Sequence, residues 1–409
     1  MTEDLADLMR RCGIPGVSIA TDSGVECHGV TVAGGDVAVE PRTVFQACSI
    51  SKHVAAYGIL RLVDRGDLDL DGDAGGLVPV AVTVRQLLAH TAGLSYNWFR
   101  GYEVGAPVPT LAQVLRGEPP ANTPPVRPDL LPGSRFRYSG SHYAVLQQIV
   151  TDVTGDRFDD VMRDLVLDPL GMADSSYDQD FPASRPDLVA HGHHSDGVPV
   201  RGGWRVIPEA AGAGLWTTPS DLVQVEREIM RAAAGESALL GADLANQMLT
   251  PQVPGGYGLG TAVDAGGLVF GHDGGNVGYN CVLRAWTGSG AVVAAMVNAD
   301  GAGEVLQAVL ADAEARYRRP AGADTAVTGV YEVRPDYPVG IDLAGETLTL
   351  TVPGQPPLPL EPVAPGRYRV VGLNVYVSFS PDGLEIHQGG TTQTATRRDH
   401  ALRGRQPLQ

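Results

Sequence analysis

Ser49-Ile50-Ser51-Lys52 opens an apolar helical run in a chain of 409 residues. The spacing sets a hydroxyl and an amine at i and i+3, so both project from one face of a helix, a turn apart. A serine hydroxyl attacks a carbonyl poorly until a base takes its proton, and a lysine whose pKa is lowered by burial serves as that base. The positive end of the helix also favours the negative charge that develops during the attack. Four residues with two fixed positions recur by chance too, as an N-cap serine followed by a surface lysine. The flanks decide between these readings. Phe45-Gln46-Ala47-Cys48 approaches through apolar and small residues, and Val54, Tyr57, Ile59, Leu60 and Val63 follow at helical spacing,. Ser49 is therefore expected to open a core helix as the nucleophile of an acyl-enzyme site.

Two further stretches complete the constellation. Tyr138-Ser139-Gly140 lies between the turn Leu131-Pro132-Gly133-Ser134 and a helical run from Tyr143 to Val150. A tyrosine there, held near a cationic lysine, would have its phenol pKa lowered and act as a general base. The structural alternative is a core tyrosine with a satisfied hydroxyl. His272-Asp273-Gly274-Gly275 follows Leu268-Val269-Phe270 and precedes the strand-like Tyr279-Asn280-Cys281-Val282-Leu283. Its glycines allow a backbone to come close to a ligand, and an N–H from such an edge can stabilise an oxyanion. The alternative is a plain Gly-rich hairpin.

The order S-x-x-K, then a tyrosine motif, then H-x-G on a late strand resembles the serine β-lactamase and penicillin-binding-protein superfamily. The class C β-lactamase branch is the nearest, with its family VIII esterases, D-aminopeptidases and transacylases. Thr83–Leu94, Asp168–Met172 and Ala213–Leu222 agree with that branch, and the likeness covers most of residues 5–315. It implies an α/β (α+β) β-lactamase-like fold: a helical subdomain beside an antiparallel sheet flanked by helices, with the active site in the cleft between. It also implies roles. Ser49 is the acylated nucleophile, Lys52 its proton partner, and Tyr138 the base that activates serine and returns the proton to the leaving group. The backbone N–H groups of Ser49 and Gly275 form the oxyanion hole. Substrate contacts fall to His272, Asp273, Gly274 and Gly140. Two positions depart from the β-lactamase pattern. Gly140 stands where an asparagine side chain contacts the substrate amide, and His272-Asp273-Gly274 replaces Lys-Thr-Gly. Histidine is charged only part of the time at neutral pH. Both changes point from β-lactams towards esters or amides.

Composition bounds the rest. Hydrophobic residues make up 43% and charged ones 19%, ordinary for a globular protein with a sizeable core,. A net charge of −17 repels phosphate backbones and offers anionic membranes no basic patch, so neither nucleic acid nor membrane is an expected partner,. The acidic start Met1-Thr2-Glu3-Asp4-Leu5-Ala6-Asp7-Leu8 lacks the basic segment and apolar run of a secretory signal,. Ala291–Val297 is a strand's length, too short to span a bilayer,. The chain as given thus reads as cytoplasmic, where a relative of cell-wall enzymes would handle metabolites.

Cys12, Cys27, Cys48 and Cys281 have no C-x-x-C spacing and read as reduced thiols, Cys48 as a small packing residue beside the nucleophile,. His191-Gly192-His193-His194 suggests a metal tract, but no Cys or carboxylate cluster adjoins it, and it is read as a strand-turn,. His90, before Thr91-Ala92-Gly93, is read as a cap or core contact. The chemistry needs no metal and no cofactor.

The pattern changes near Arg318-Arg319-Pro320-Ala321-Gly322-Ala323, giving domains at 1–318 and 326–409,. Beyond it, Gly329–Tyr331, Thr347–Val352, Arg367–Val371 and Val375–Phe379 alternate with turns, as in a small antiparallel barrel or sandwich,. This part resembles the lipocalin-like C-terminal domain of some superfamily members, which covers the cleft mouth. On that likeness Arg397 or Arg398 would pair with a substrate carboxylate.

Three functions are compatible with these readings. The first is a serine acyl-enzyme hydrolase of small esters, amides or peptides. The second is an acyltransferase or peptide macrocyclase, of the transacylase or penicillin-binding-protein-type thioesterase kind, with a free or carrier-bound acyl substrate. The third is a non-catalytic binding protein, disfavoured because Ser49, Lys52 and Tyr138 are all retained in order. Hydrolysis versus transfer and the oligomeric state are left open.

Overall fold

The computed structural model describes residues 5–74, 76–253, 256–264, 269–317, 327–335, 337–345, 347–364, 367–371, 373, 375–380, 383–388 and 391–398. The expected linker at 318–323 and the first four residues of the acidic start lie outside them. The described residues fall into two compact units. One runs up to Trp286 and resumes at Gly290–Arg316; the other holds Thr287–Ser289 and the residues from Tyr317 on.

The first unit is built on a six-stranded antiparallel sheet: β1 (Gly16–Thr21), β2 (Gly24–Gly29), β3 (Ala262–Val263), β4 (Val269–Asn276), β5 (Tyr279–Trp286) and β6 (Ala291–Val297), in the order β2-β1-β6-β5-β4-β3. Every residue of β6 is buried, because its unbroken apolar run is covered on both faces in the middle of the sheet. β1 and β6 pair with Val17 opposite Val297 and Ile19 opposite Ala295. The helix Pro219–Ala233 packs on β1 and β6, started by Thr218, whose side chain accepts from the Asp221 N–H, and by Pro219 at the first turn,.

Two further helices frame the motifs. α1 (Ile50–Asp64) is buried continuously from Ile50 to Leu62, as expected of a helix apolar on all sides, and it packs on β4 and β5,. The polar exceptions on it are paired: Arg61 donates to the Leu239 carbonyl at 3.0 Å and to the Leu165 carbonyl. α2 (Gly140–Thr154) begins at Ser139, whose hydroxyl accepts from the Ser141 N–H, and ends at Gly155 with φ 76°. That left-handed exit is one glycine takes without steric cost.

The second unit is a closed antiparallel barrel of β7 (Gly329–Arg334), β8 (Tyr337–Ala344), β9 (Thr347–Thr351), β10 (Leu358–Ala364), β11 (Arg367–Val370), β12 (Val375–Ser380), β13 (Gly383–Gln388) and β14 (Thr391–Arg397). Pairing of Tyr331 with Arg397 joins the last strand to the first. Tyr331, Val339, Ile341, Leu348, Leu350, Tyr368, Val370, Val377 and Leu384 fill its core. This is the barrel the C-terminal sequence suggested, with a lipocalin-like arrangement.

Candidate active site

Ser49 sits at the N-cap of α1 with φ −70° and ψ −10°, and its hydroxyl caps nothing. That separates it from an ordinary N-cap serine, whose oxygen is spent on the helix end. The Lys52 amine takes that oxygen instead, donating to Ser49 Oγ at 3.0 Å and to the Gly212 carbonyl at 2.6 Å. Lys52 Nζ also lies over the Tyr138 ring, 5.1 Å from its centroid, and 5.9 Å from that of Tyr143. Burial, with no carboxylate partner among the described residues, costs the ammonium its hydration, and the Lys52 pKa falls to about 7,. At neutral pH a large fraction of this amine is free to accept a proton.

The turn entering Ser49 is strained. Cys48 has φ 51°, a left-handed value uncommon outside glycine, held by its buried thiol, which contacts the carbonyls of Gln46 at 3.3 Å and Tyr279 at 3.6 Å,. β4 comes against this turn as only glycine permits. A Cβ on Gly274 would lie 2.5 Å from Cys281 Sγ, 2.8 Å from the Ala47 carbonyl and 2.8 Å from Cys48 Cβ. The Cys281 thiol in turn donates to the Ala47 carbonyl at 3.0 Å. Gly275 follows directly, paired across the sheet with Asn280.

Tyr138 is brought to the same place, and one expectation about it is corrected. Its hydroxyl is buried without a well-formed hydrogen bond among the described residues. Desolvation raises the phenol above its ordinary value, with only the nearby Ser49 hydroxyl pulling it down. The lowering expected from lysine is outweighed by burial,. Burial thus favours the protonated form of this phenol,.

His272 is corrected as well. It is buried, its Nε2 faces the Tyr257 hydroxyl at 3.2 Å and its Nδ1 faces the Asp273 carbonyl at 2.5 Å. A carbonyl only accepts, so Nδ1 carries the proton and Tyr257 donates to Nε2. Burial, then the neighbouring Lys52, lowers the His272 pKa to about 3. This imidazole is neutral at pH 7 and is no part-time substitute for a lysine cation. Asp273 stays largely exposed and pairs with Arg284 at 2.7 Å.

Gly140 is glycine for a visible reason: a Cβ there would stand 2.5 Å from Phe99 Cε2 and 3.0 Å from the Asn97 carbonyl. An aromatic ring thus abuts the position where an asparagine would project. Arg397 and Arg398 belong to the barrel. Arg397 donates to the Thr328 carbonyl at 2.8 Å, and Arg398 holds Glu332 through Nη2 at 2.5 Å and Nε at 3.2 Å.

Several contributors were not singled out by the sequence. Gly212 offers a carbonyl, which no side-chain pattern reveals. Tyr257 fixes the His272 tautomer from a loop position without motif character. His53, one residue after Lys52, pairs with Glu226 at 3.0 Å in full burial. Adjacency to Lys52 on a core helix was the available signal for that pair.

A Beta-lactamase family model matches residues 1–317. Penicillin-binding protein 4 of Amycolatopsis lactamdurans is 30% identical over 320 residues, 70% of this chain and 81% of that protein. Esterase EstB of Burkholderia gladioli is 32% identical over 208 residues, 44% of this chain and 50% of the esterase. The solved structure of SurE with D-Leu has a TM-score of 0.61 and 23% identity, covering 96% of this chain and 97% of that one. That last likeness is one of fold, and it runs through both units.

Proposed function

The chain belongs to the Beta-lactamase family, and from that premise we propose that it is a serine hydrolase acting on small esters, amides or peptides through an acyl-enzyme on Ser49. The observation carrying this reading is the 3.0 Å contact between Ser49 Oγ and a lysine amine whose pKa is about 7. As Oγ attacks the carbonyl carbon, neutral Lys52 takes its proton and the carbonyl π electrons move to oxygen. The N–H groups of Ser49 and Gly275 receive that oxyanion. Collapse breaks the bond to the leaving alkoxide or amine, which takes a proton from the Tyr138 phenol; the Lys52 ammonium then restores it. Water repeats the sequence on the acyl-enzyme. The base is therefore Lys52, and Tyr138, whose phenol is raised, acts as donor.

Acyl transfer is the second reading, supported by a two-unit plan that matches SurE over nearly the whole chain. In it an amine or alcohol takes the place of water, and the acyl donor is a free or carrier-bound peptide. Intact mass after mixing with a p-nitrophenyl acyl ester, with and without added amine, separates the two. An adduct on Ser49 that clears in water supports hydrolysis; one that persists until amine arrives, releasing amide, supports transfer. An adduct that survives Ser49→Ala sinks both.

A further inference from the structure

His90 is fully buried and holds φ 56°, a backbone region that non-glycine residues rarely occupy,. The strain comes with three contacts, all on or beside Tyr138. The Arg137 N–H donates to the His90 carbonyl at 2.9 Å. The Ser139 N–H donates to His90 Nδ1 at 3.3 Å. Between them the imidazole lies against the Tyr138 ring, with centroids 4.3 Å apart and planes tilted by 41°. One residue thus grips the chain before Tyr138, grips it after, and covers its ring.

The clamp is itself fixed. Because His90 Nδ1 accepts from Ser139, its ring proton resides on Nε2, and His142 Nδ1, 2.9 Å from that same His90 Nδ1, donates to it as well,. His142 lies on the first turn of α2, so the clamp is anchored to the helix that Tyr138 precedes. Burial, then the neighbouring His142, Lys52 and His272, hold His90 neutral, which preserves the acceptor.

We propose that His90 is a positioning residue that holds the Tyr138 hydroxyl beside Ser49, and that it affects the reaction through Tyr138 alone. The proposal rests on the reading of Tyr138 as the proton donor of the acyl-enzyme cycle. His90→Gly keeps the left-handed backbone and the carbonyl contact but removes the ring and Nδ1. His90→Asn tolerates the same backbone and supplies an acceptor without the ring. Acylation of the full chain by an ethyl acyl ester, whose ethoxide must take a proton to leave, is followed at saturating ester, in the parent and in a Tyr138→Phe background.

Misplacement of a reacting group by an ångström is worth up to about 100-fold in rate, so His90→Gly is expected to slow acylation about 10- to 100-fold in the parent. In the Tyr138→Phe background the same change is expected to cost less than about threefold, since the group it positions is gone. His90→Asn is expected to recover part of the loss, with KM little altered throughout. Equal losses in both backgrounds overturn the proposal, and so does an unchanged rate in His90→Gly. If Tyr138→Phe alone leaves acylation untouched, the donor role of Tyr138 fails and takes this proposal with it. Should His90→Gly not fold by circular dichroism, His90→Asn carries the test: its loss must vanish in the Tyr138→Phe background, and persistence there overturns the assignment.

Discussion

Gly140 and Phe99 occupy each other's space: a Cβ added at 140 would meet the Phe99 ring at 2.5 Å. The absence of the β-lactamase asparagine and the presence of this phenylalanine are therefore one structural fact. Gly140→Asn is expected to destabilise the protein by about 1–3 kcal/mol, the usual range for overpacking a filled site. Combining it with Phe99→Ala should return part of that loss, because the smaller residue vacates the contested volume. Thermal unfolding of the four chains checks this, and a Gly140→Asn protein as stable as the parent would remove the argument.

The rate of acylation should follow the protonation of Lys52. Its amine is neutral above a pKa of about 7 and charged below, so the rate should rise with pH through that value and level off above it. Lys52→Arg should abolish acylation at every pH, since a guanidinium stays charged. Pre-steady-state release of p-nitrophenol between pH 5.5 and 9 is the measurement. A flat profile would assign the base elsewhere.

Acid should unfold the protein earlier than its exposed carboxylates alone would predict. Burial holds the pKa of His142 and of His272 near 3, against an ordinary 6.5. Between those values the unfolded chain binds protons that the folded chain refuses, so stability falls as pH drops below about 6.5. Each group contributes up to about 1.4 kcal/mol per pH unit in that window. Glu209 acts in the opposite sense. Burial raises it to about 7 from 4.5, so the folded chain holds an extra proton and gains as pH falls between those values. Two histidines outweigh one carboxyl, leaving a net loss on acidification. Glu209→Gln should steepen that loss, as read from urea unfolding at pH 5 and 7.

Gly274→Ala should impair both folding and acylation. Its added methyl would press on Cys281 Sγ and on the Ala47–Cys48 turn that leads into Ser49. Normal acylation by a stably folded Gly274→Ala protein would mean that the close approach of β4 is unnecessary.

Much of this architecture was legible in the sequence because the signals were local. The apolar spacing after Lys52 marks α1, the run Ala291–Val297 marks β6, and four short alternating runs past residue 328 announce the barrel. The other barrel strands, such as Tyr337–Ala344 and Gly383–Gln388, were missed because charged residues and glycines weaken their alternation. That Ser49, Lys52 and Tyr138 lie together was legible through their order. The upward shift of Tyr138 and the downward shift of His272 were not, since they depend on burial, and the His272 tautomer on Tyr257 from a distant segment. His90 illustrates the same limit. Its type and position suggested a core contact, and only the fold reveals that the contact is aimed at Tyr138.

Closure of the barrel has a colloidal consequence. An open sheet presents unpaired N–H and C=O groups that can recruit a strand from another molecule. Each of the eight strands here has neighbours on both sides, with β14 returning to β7. An appended all-β module of this kind adds mass and surface to the chain without adding a template for fibrillar association. The main sheet, by contrast, ends in the exposed, charge-bearing strand β2 on one side and the two-residue β3 on the other. Charge at one border and brevity at the other are the means by which an open sheet resists the association that the barrel avoids by geometry.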